Sequence, residues 1–440
     1  GLIFYRKSDY EKSKDCMKDN NLTVSVIIPT HNRFKSLERL LNALASQNYP
    51  LHLIEVIVVA DGCKDATIEV LKTYRPQYLL QYVCLEGKGP AIARNEGALL
   101  AKGSLLLFID DDIDPSPGFI KAHVLAHDKA DKVVIGYLPF VMQKKEGFFG
   151  IKLRLWWEDK FLQMRKPGYR FSYEDLISGN FSIPSVLFKK INGFDKTLRL
   201  REDYELGMRL IKSGAQFDFS TEAWGYHCDE ATNLSRSLKR KRQEGNVDVQ
   251  FGALHPELLR SFWLAEFKNR LSIFSSLKFF LVFNTPMLGD LIASSLKQYM
   301  SFLEWMRWRS PWNKLNDRLH QYWYLRGTAE KFTSKKDLIN YLKYNQHYSY
   351  FTPDLTIDLK KGIAEVEQLI DLKRPESVQL IYGDYIIGTI DPIPGAERLR
   401  SDHLKKALAS EFSWDLMQTL VLDQNINKTF EKSKLRINSI

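Results

Sequence analysis

Three adjacent carboxylates, Asp110-Asp111-Asp112, are the residues of this sequence best placed to do chemistry, because they directly follow the apolar run 105–109. Such a run is typical of a buried parallel strand, although its length and pattern do not exclude a buried helix. Adjacent carboxylates repel one another and are costly to bury unless a cation or hydrogen-bond donors stabilise them. Mg²⁺ and Mn²⁺ bind carboxylate oxygens, and Mg²⁺ commonly shares them with substrate phosphates. The three residues therefore indicate either a metal site or an acidic turn, since Asp114-Pro115 follows.

Polar residues of a complementary kind follow the earlier apolar runs. The segment Pro29-Thr30-His31-Asn32-Arg33 follows the run 24–28, and Asp61-Gly62 follows the run 54–60. Further residues surround the start of a helix opened by Pro90, namely Lys88, Gly89, Arg94 and Asn95. The free N–H groups and the dipole at a helix start favour phosphate. Together these residues offer donors for a diphosphate, a carboxylate at Asp61 for a base or a ribose, and a carboxylate cluster for a bridging metal.

The elements that must position these residues alternate between strand and helix. Four apolar runs predict strands, at 24–28, 54–60, 81–85 and 105–109. Segments with helical spacing separate the runs, and Ser36 and Asp65 stand where N-terminal caps are expected. This alternation predicts an α/β fold with a mostly parallel, doubly wound sheet, in which ligands bind at the carboxyl ends of the strands.

The character of the chain changes along its length. Residues 1–22 are polar and charged and predict an N-terminal extension, and residues 23–235 carry the pattern of a catalytic domain. Residues 236–345 predict a helical region that is basic and aromatic, and residues 346–440 predict a small α+β accessory domain. In that last part, Gly383-Asp384 lies between two β-rich runs, which is typical of a tight hairpin.

The composition is that of a globular protein with an anionic partner. Hydrophobic residues make up 44% of the 440 residues and charged residues 26%, which excludes disorder over most of the length. A net charge of +10 favours a nucleotide, a membrane surface or a nucleic acid without choosing among them. The four cysteines show no C-x-x-C spacing, so we expect no zinc site, no disulfide framework and a reduced, cytoplasmic compartment. The apolar segment 278–297 contains Pro286 and Asp290, and we do not expect it to span a membrane.

Seven stretches of the sequence, in their order and spacing, jointly resemble glycosyltransferase family 2, a group of sugar transferases with the GT-A fold. They are 24–33 (VSVIIPTHNR), 58–62 (VVADG), 88–95 (KGPAIARN), 108–112 (FIDDD), 178–182 (SGNFS), 193–195 (GFD) and 201–207 (REDYELG). The resemblance covers roughly the first half of the chain. It implies a GT-A catalytic domain that uses a nucleotide sugar.

The resemblance also implies roles for residues at the donor site. Asp61 is implied to contact the uracil with the help of Arg94, and Asp110 to approach the ribose. Asp112 is implied to hold a divalent metal, Mn²⁺ or Mg²⁺, on the diphosphate. The other residues assigned in this way to nucleotide-sugar binding are Pro29, Thr30, Asn32, Arg33, Gly62, Lys88, Asp111 and Asn180.

Catalytic roles fall on residues further along the chain. Asp203 is implied to be the general base that deprotonates the acceptor hydroxyl, with Glu202 beside it. His227 is implied to complete the metal or diphosphate site. One carboxylate base opposite a stabilised leaving group predicts attack in a single step with inversion at the sugar. Plainer explanations are also open, because Glu202-Asp203 suits the first turn of any helix and His227 suits a buried core position.

The motif of processive synthases, Gln-x-x-Arg-Trp on a helix after the base, is absent from this sequence. We therefore expect inverting, metal-dependent transfer of single sugars from a nucleotide sugar, a UDP-sugar above others. The expected acceptor is a hydroxyl of a saccharide or lipid-linked saccharide, in surface-glycan biosynthesis at the inner face of the membrane. Two alternatives are a nucleotide-sugar-binding scaffold of a membrane-bound complex and a sugar nucleotidylyltransferase, although the Gly-rich loop of the latter is missing.

Two further expectations concern partners. The basic, aromatic helices at about 258–323 either pack on the catalytic domain, which we favour, or lie on an anionic membrane surface. No nucleic acid partner is expected. Trp156 and Trp157 suit either stacking on an acceptor sugar or packing in the core.

Overall fold

The computed structural model describes residues 22–129, 131–141, 147–228, 233–259, 261–263, 273–344 and 352–424. The predicted N-terminal extension lies almost wholly outside the described residues. The chain divides into two compact units. The first contains the chain up to Leu162 and the part from Ser172 to residue 347, and the second contains Gln163–Phe171 and the part after residue 347. The predicted boundaries after residues 22, 235 and 345 divide the chain more finely and stay predictions.

Eight strands form the sheet of the first unit, counted over the described residues. They are β1 Val24–Thr30, β2 Ile54–Asp61, β3 Leu79–Leu85, β4 Leu105–Ile109, β5 Ile113–Pro115, β6 Lys132–Tyr137, β7 Asn180–Pro184 and β8 Gln216–His227. Their order across the sheet is β3-β2-β1-β4-β7-β6-β8-β5. Only β7 and the short β5 pair antiparallel with their neighbours. The predicted fold class, an α/β fold with a mostly parallel sheet, is confirmed.

The inner strands are mostly apolar because helices cover both faces of the sheet. Every residue of β2 and of β4 is buried. Three helices connect the first four strands, namely α1 Phe34–Ala45, α2 Thr67–Thr73 and α3 Pro90–Leu100. In α1, leucines at positions 37, 40, 41 and 44 form the buried face. Their spacing of three and four residues is that of an amphipathic helix.

The starts of α1 and α2 meet at Asp65. The N–H of Phe34, the first residue of α1, donates to Asp65 Oδ2 at 3.1 Å, and the N–H of Thr67 donates to Asp65 Oδ1 at 3.2 Å. Asp65 therefore lies at the start of α2 as predicted. The prediction that Ser36 caps α1 is wrong, because the helix begins before Ser36.

Four helices complete the packing around the sheet or follow it: α4 Phe119–Ala126, α5 Phe148–Met164, α6 Ser185–Lys190 and α7 Glu202–Lys212. The basic, aromatic region that follows is helical, as predicted. Its helices are α8 Leu234–Leu254, α9 Ile273–Phe283, α10 Pro286–Trp305, α11 Arg309–Ala329 and α12 Lys335–Tyr344.

Helices α8 and α11 approach closely at two glycines. A Cβ on Gly245 would lie 2.0 Å from the carbonyl oxygen of Tyr324, and a Cβ on Gly327 would lie 1.7 Å from that of Arg242. Trp312 and Tyr324 of α11 are almost fully buried. Trp312 also packs edge-on against Phe148 of α5, with ring centroids 5.7 Å apart.

None of the described helices is by itself long and apolar enough to cross a membrane. The segments Leu277–Phe283 and Pro286–Trp305 meet the criterion of length and hydropathy only as a pair, and the chain bends by 117° between them.

The second unit contains a small sheet of three strands in the described residues: β9 Leu355–Asp358, β10 Val378–Tyr382 and β11 Tyr385–Ile390. Two helices, α13 Ile363–Lys373 and α14 Ser401–Ala409, pack with it. Val366, Ile370 and Leu380 belong to its buried core. The predicted hairpin at Gly383-Asp384 is confirmed, since β10 and β11 pair antiparallel and Gly383 has a φ of 61°.

Candidate functional site

The sheet places three strand ends side by side. Strand β1 lies between β2 and β4 and is parallel to both, so Thr30, Asp61 and the aspartate run after Ile109 reach the same edge. After β1 the chain continues to β2 on one side of β1, whereas β4 lies on the other side of β1. The order of the strands therefore reverses at β1. In open α/β sheets this reversal of strand order opens a crevice at the carboxyl ends, where ligands bind.

Asp61 shapes the part of this crevice that lies over β2. Its Oδ1 accepts the N–H of Lys88 and its Oδ2 accepts the N–H of Gly89, both at 2.7 Å. Gly62 has a φ of 70°, and a Cβ there would lie 3.0 Å from the backbone nitrogen of Gly87. The carboxylate of Asp61 therefore fixes the loop that leads into α3, with Gly62 allowing the close approach.

The segment after β1 lies beside this loop. His31 Nδ1 lies 2.6 Å from the carbonyl oxygen of Asp61, and Asn32 has a left-handed φ of 54°. The side-chain oxygen of Asn32 accepts the N–H of Lys64 at 2.7 Å. Pro29 is partly exposed within β1. These contacts join the two loops into one wall of the crevice.

Asp111 and Asp112 are buried, and both carboxylates contact the guanidinium of Arg33. Arg33 Nη1 donates to Asp111 Oδ1 at 3.1 Å and to Asp112 Oδ2 at 2.5 Å, and Thr30 Oγ1 donates to Asp111 Oδ2 at 2.6 Å. Burial raises the pKa of Asp111 to about 6, although Thr30 and Arg33 act in the opposite direction. Burial also raises the pKa of Asp112, but His227 and Arg33 outweigh it and hold the pKa below its ordinary value.

His227 reaches Asp112 through strand pairing. Strand β5, which directly follows the aspartates, pairs with the end of β8 so that Ile113 faces His227, and the N–H of Cys228 donates to the carbonyl oxygen of Asp112. His227 Nε2 consequently lies 3.7 Å from Asp112 Oδ1. The structure therefore brings together the two residues predicted to bind a metal, although 115 positions separate them in the sequence.

The side-chain atoms at Asp112 and His227 are suitable ligands for a divalent metal. Asp112 Oδ1 is buried and accepts no hydrogen bond, so one oxygen of this carboxylate is available to a cation. A carboxylate oxygen and an imidazole nitrogen suit Mn²⁺ or Mg²⁺, and two side chains leave coordination positions for diphosphate oxygens and water. Groups of three or more converging His, Cys, Asp or Glu side chains do not occur in the described parts of the chain. A metal at this place would therefore depend on oxygens from the substrate.

Arg94 links Asp110, directly after β4, to Glu202, the first residue of α7. Its guanidinium is buried, with Nη2 2.7 Å from Asp110 Oδ1 and Nη1 3.0 Å from Glu202 Oε1. A Cβ at Gly179 would lie 2.8 Å from Asp110 Oδ2, so a larger residue there would require the Asp110 carboxylate to shift. Arg94 forms ion pairs with Asp110 and Glu202 rather than with Asp61, the residue that it was predicted to assist.

Glu202 and Asp203 begin α7, and their surroundings differ. Glu202 is buried, while Asp203 is partly exposed and its Oδ1 accepts the N–H of Tyr204 at 2.9 Å. Burial and the charge of Asp203 raise the pKa of Glu202 to about 7, although Arg94 acts in the opposite direction. Asp203 is thus the more accessible member of the pair.

Asn180 begins β7 and pairs with Ile109, the residue before Asp110. Its side chain is fully buried, where Oδ1 lies 2.8 Å from His123 Nε2 and Nδ2 donates to the carbonyl oxygen of Ala223 at 3.0 Å. The same histidine contacts Ser182. The side chain of Asn180 is thus held by His123 and Ala223, and its predicted role in nucleotide-sugar binding stays a prediction.

Arg201 is a functional candidate that sequence reasoning missed. It precedes Glu202, has a left-handed φ of 64°, and its Nε donates to Asp248 Oδ1 of α8 at 3.0 Å. Asp248 Oδ2 in turn accepts the hydroxyl of Tyr324 at 2.7 Å. Helices α8 and α11 thus hold the residue that starts α7, and no local sequence signal identifies a contact of this kind.

The tryptophans of α5 divide between the two predicted roles. Trp157 stacks on Phe161, with ring centroids 5.6 Å apart, and Phe161 is fully buried. Trp156 is 53% exposed. Trp157 is therefore a packing residue. The exposed Trp156 contacts Trp157, with ring centroids 4.9 Å apart, and its stacking on an acceptor sugar stays a prediction.

Comparisons with known proteins agree with this geometry. Residues 25–191 match the model of glycosyl transferase family 2, and residues 160–228 match that of the N-terminal domain of galactosyltransferase. Validoxylamine A glucosyltransferase of Streptomyces hygroscopicus is 30% identical over 272 residues, and the match covers 54% of this chain and 63% of that enzyme. The pre-mycofactocin glycosyltransferase of Mycobacterium tuberculosis is 27% identical over 241 residues, and the match covers 53% of this chain and 48% of that enzyme.

The chain thus spans about three fifths of the length of the first of these relatives. Among solved structures, a mannosyltransferase of Pyrobaculum calidifontis with GDP-mannose and Mn²⁺ aligns over 73% of this chain and 93% of its own length. Its TM-score is 0.45 and its sequence identity is 15%.

Proposed function

We propose that this protein transfers a sugar from a nucleotide sugar to an acceptor hydroxyl, since residues 25–191 match the model of glycosyl transferase family 2. One observation carries the proposal. A buried arginine, Arg94, joins a carboxylate on the donor side of the crevice to the Glu202-Asp203 pair, and Asp112 and His227 lie at the same edge. Sugar transfer requires this combination of leaving-group stabilisation and a nearby base.

The leaving diphosphate is held by cations and N–H groups in the proposal. Asp112 and His227 would bind the divalent metal, and a metal there would neutralise charge on the departing diphosphate. Arg33 lies against both Asp111 and Asp112, so it is within reach of the same phosphates. Lys88 stands at the start of α3, where the free N–H groups favour an anion.

The acceptor is activated by Asp203 in the proposal. Asp203 is partly exposed, whereas Glu202 is buried against Arg94. A single carboxylate that removes the proton of the acceptor hydroxyl permits direct attack on the sugar carbon, with inversion. Glu202 then acts by orienting Arg94, which also contacts Asp110.

The finer parts of the proposal rest on the sequence and on relatives. We take the donor to be a UDP-sugar, with glucose as the first sugar to test because a related enzyme is named a glucosyltransferase. The motif of processive synthases is absent from the sequence, which supports addition of single sugars. A saccharide or lipid-linked saccharide at the inner face of the membrane is the proposed acceptor, in surface-glycan biosynthesis.

The first test combines binding and turnover. Purified protein is incubated with UDP-glucose, UDP-galactose, UDP-N-acetylglucosamine and GDP-mannose, each with Mn²⁺ or with a chelator, and thermal stabilisation and nucleotide release are measured. We expect one donor to stabilise the protein more with Mn²⁺ and to be turned over. Asp112→Asn should lose the metal-dependent part of binding, and Asp203→Asn should retain binding but lose about 100-fold or more in turnover.

Two matched variants serve as controls. Asp114→Asn changes a carboxylate two residues from Asp112, and Glu222→Gln changes an exposed carboxylate of β8. Both should behave like the wild type. Wild-type turnover in Asp203→Asn would remove that residue from its role, and donor binding without turnover of any donor or acceptor would favour a nucleotide-sugar-binding scaffold.

A further inference from the structure

Helix α10 turns its charged side chains towards the protein. It contains three charged residues, Asp290, Lys297 and Glu304. Asp290 Oδ1 accepts the hydroxyl of Tyr322 at 2.8 Å and lies 3.3 Å from Arg326 Nε, both on α11. The charge of Asp290 is therefore neutralised inside the helical region.

The other two charged residues are also engaged by the protein. Lys297 Nζ donates to the hydroxyl oxygen of Ser235 on α8 at 2.9 Å, and Glu304 Oε1 accepts the N–H of Phe148 at the start of α5 at 2.5 Å. No charged residue of α10 is thus left for its outer face.

The outer face of α10 carries large apolar side chains instead, beside the uncharged polar residues Ser294, Ser295, Gln298 and Ser301, which are also exposed. Met287 is 89% exposed, Leu291 is 64% exposed and Trp305 is 76% exposed. Further large apolar side chains at helical spacing are exposed with them: Leu288, Ile292, Tyr299, Phe302 and Met306. We call these eight residues the α10 apolar face. A soluble surface helix normally shows the reverse arrangement, with charge outside and apolar residues inside.

The surroundings of the α10 apolar face are basic and aromatic. Exposed basic residues follow the helix at Arg307, Arg309, Lys314 and Arg318. The only acidic residue from 306 to 320 is Asp317, which pairs with Lys152. Trp308, directly after the helix, is half exposed. Tryptophan and tyrosine at the edge of an apolar surface, with adjoining arginine and lysine, are typical of the interface of an anionic lipid bilayer.

We infer that the α10 apolar face lies in the interfacial layer of an anionic lipid membrane, with α10 parallel to the surface. The apolar stripe and the positive charge beyond it match the two components of such a layer, acyl chains and anionic headgroups. A soluble protein partner would have to be apolar and acidic at once. This inference goes beyond the proposed sugar transfer, because it concerns residues outside the donor crevice and holds whether or not the enzyme turns over a given donor.

The test is co-flotation of the full-length protein with vesicles. Vesicles of equal parts phosphatidylglycerol and phosphatidylcholine are compared with vesicles of phosphatidylcholine, at low and high salt. We expect the wild type to float with the anionic vesicles and to remain partly bound at high salt, because apolar burial is not screened. The double variant Leu291→Gln/Trp305→Ser should lower the partition coefficient about tenfold or more.

The matched control makes the same two chemical changes on other surfaces. Leu99 is 71% exposed and Trp414 is 65% exposed, so Leu99→Gln/Trp414→Ser removes equivalent side chains outside α10. It should float like the wild type, and thermal unfolding should be unchanged in both double variants because all four side chains are exposed. Nucleotide binding, measured on the same samples, reports separately on the donor site.

Three outcomes would overturn the inference. The first is no flotation of the wild type with anionic vesicles at low salt, and the second is equal flotation of Leu291→Gln/Trp305→Ser and the wild type. The third is a stable dimer of the wild type in sedimentation that Leu291→Gln/Trp305→Ser converts to a monomer, because the face would then be covered by a second copy of the chain.

Discussion

Asp61 uses both of its carboxylate oxygens to hold a backbone loop. The N–H groups of Lys88 and Gly89 each donate to a different oxygen. In Asp61→Asn one of these N–H groups would face the amide NH₂, a donor, and would lose its acceptor. The loss of a buried hydrogen bond costs about 1–3 kcal/mol, so we expect UDP affinity to fall about tenfold or more.

Isothermal titration with UDP measures this effect. Glu86→Gln changes an exposed acid in the same loop and should bind UDP like the wild type. If Asp61→Asn binds UDP with unchanged affinity, the loop held by Asp61 does not form the pocket for the uracil.

Glu202 is a buried acid whose proton is held more tightly in the folded protein. Its pKa rises from 4.5 to about 7, first through burial and then through the charge of Asp203. A raised pKa contributes stability below about 4.5 that is lost as the pH rises through about 7. We therefore expect Glu202→Gln, which cannot ionise, to gain melting temperature relative to the wild type over this interval.

Glu205, one helical turn further on, provides a control of opposite sign. Burial raises its pKa, but His255 and Arg209 outweigh burial and lower it, so its charge stabilises the folded state at neutral pH. Glu205→Gln should lose melting temperature at neutral pH, and the loss should shrink as the pH falls. If the melting temperatures of Glu202→Gln and the wild type change with pH in the same way, the raised pKa does not belong to Glu202.

Most residues of the candidate site were predictable because they directly follow apolar strands. Asp61 and the aspartates after β4 are local signals, and parallel pairing with β1 is enough to bring them together. Asn180 was assigned to nucleotide binding by resemblance, but its side chain is buried against His123. Which face of a strand a polar residue occupies depends on packing, and one sequence motif does not reveal it.

At the level of elements, α7 depends on the helical region for its position. Arg201, with a left-handed backbone, is tied to Asp248 of α8 and lies over the ring of Tyr204 at 4.6 Å. A residue displaced by a fraction of an ångström from its reacting geometry loses much of its catalytic effect. We expect Asp248→Asn to lower kcat about tenfold with little change in the KM for the donor.

Two variants separate positioning from folding. Arg201→Gly keeps a residue that tolerates the left-handed backbone but removes the guanidinium, and it should resemble Asp248→Asn. Glu330→Gln breaks the exposed pair with Arg242 in the same helices and should leave kcat unchanged. An equal fall of kcat in Glu330→Gln would indicate general loosening of the helices and would contradict a specific role of Arg201.

Strand and helix order were predictable from periodicity, while helix starts were less so. Ser36 was expected to cap α1, yet the first N–H of the helix is satisfied by Asp65, which lies 31 positions beyond Phe34. Likewise, the three charged residues of α10 contact partners outside the helix, at Tyr322, Ser235 and Phe148. Both cases depend on partners that are distant in sequence, which local patterns do not encode.

In the whole chain, the division into two units does not follow the order of the sequence. Gln163–Phe171 belongs to the second unit although residues on both sides of it belong to the first. Arg170 donates to the carbonyl oxygens of Glu376, Asp391 and Glu397, and Phe171 is buried. A domain boundary placed near residue 345 therefore separates Gln163–Phe171 from the unit in which this segment packs.

A truncation after residue 347 tests this connection. Without the second unit, Arg170 and Phe171 would lose their partners, and the N–H of Phe171 would lose its bond to Glu397 Oε1. We expect the shortened protein to unfold at a lower temperature and to aggregate more readily than the full chain, because apolar surface becomes exposed. Arg170→Met in the full chain removes only the guanidinium contacts and should fall between the two in melting temperature. If the shortened protein matches the full chain in melting temperature and in solubility, Gln163–Phe171 is an independent loop and the two units can be separated at this point.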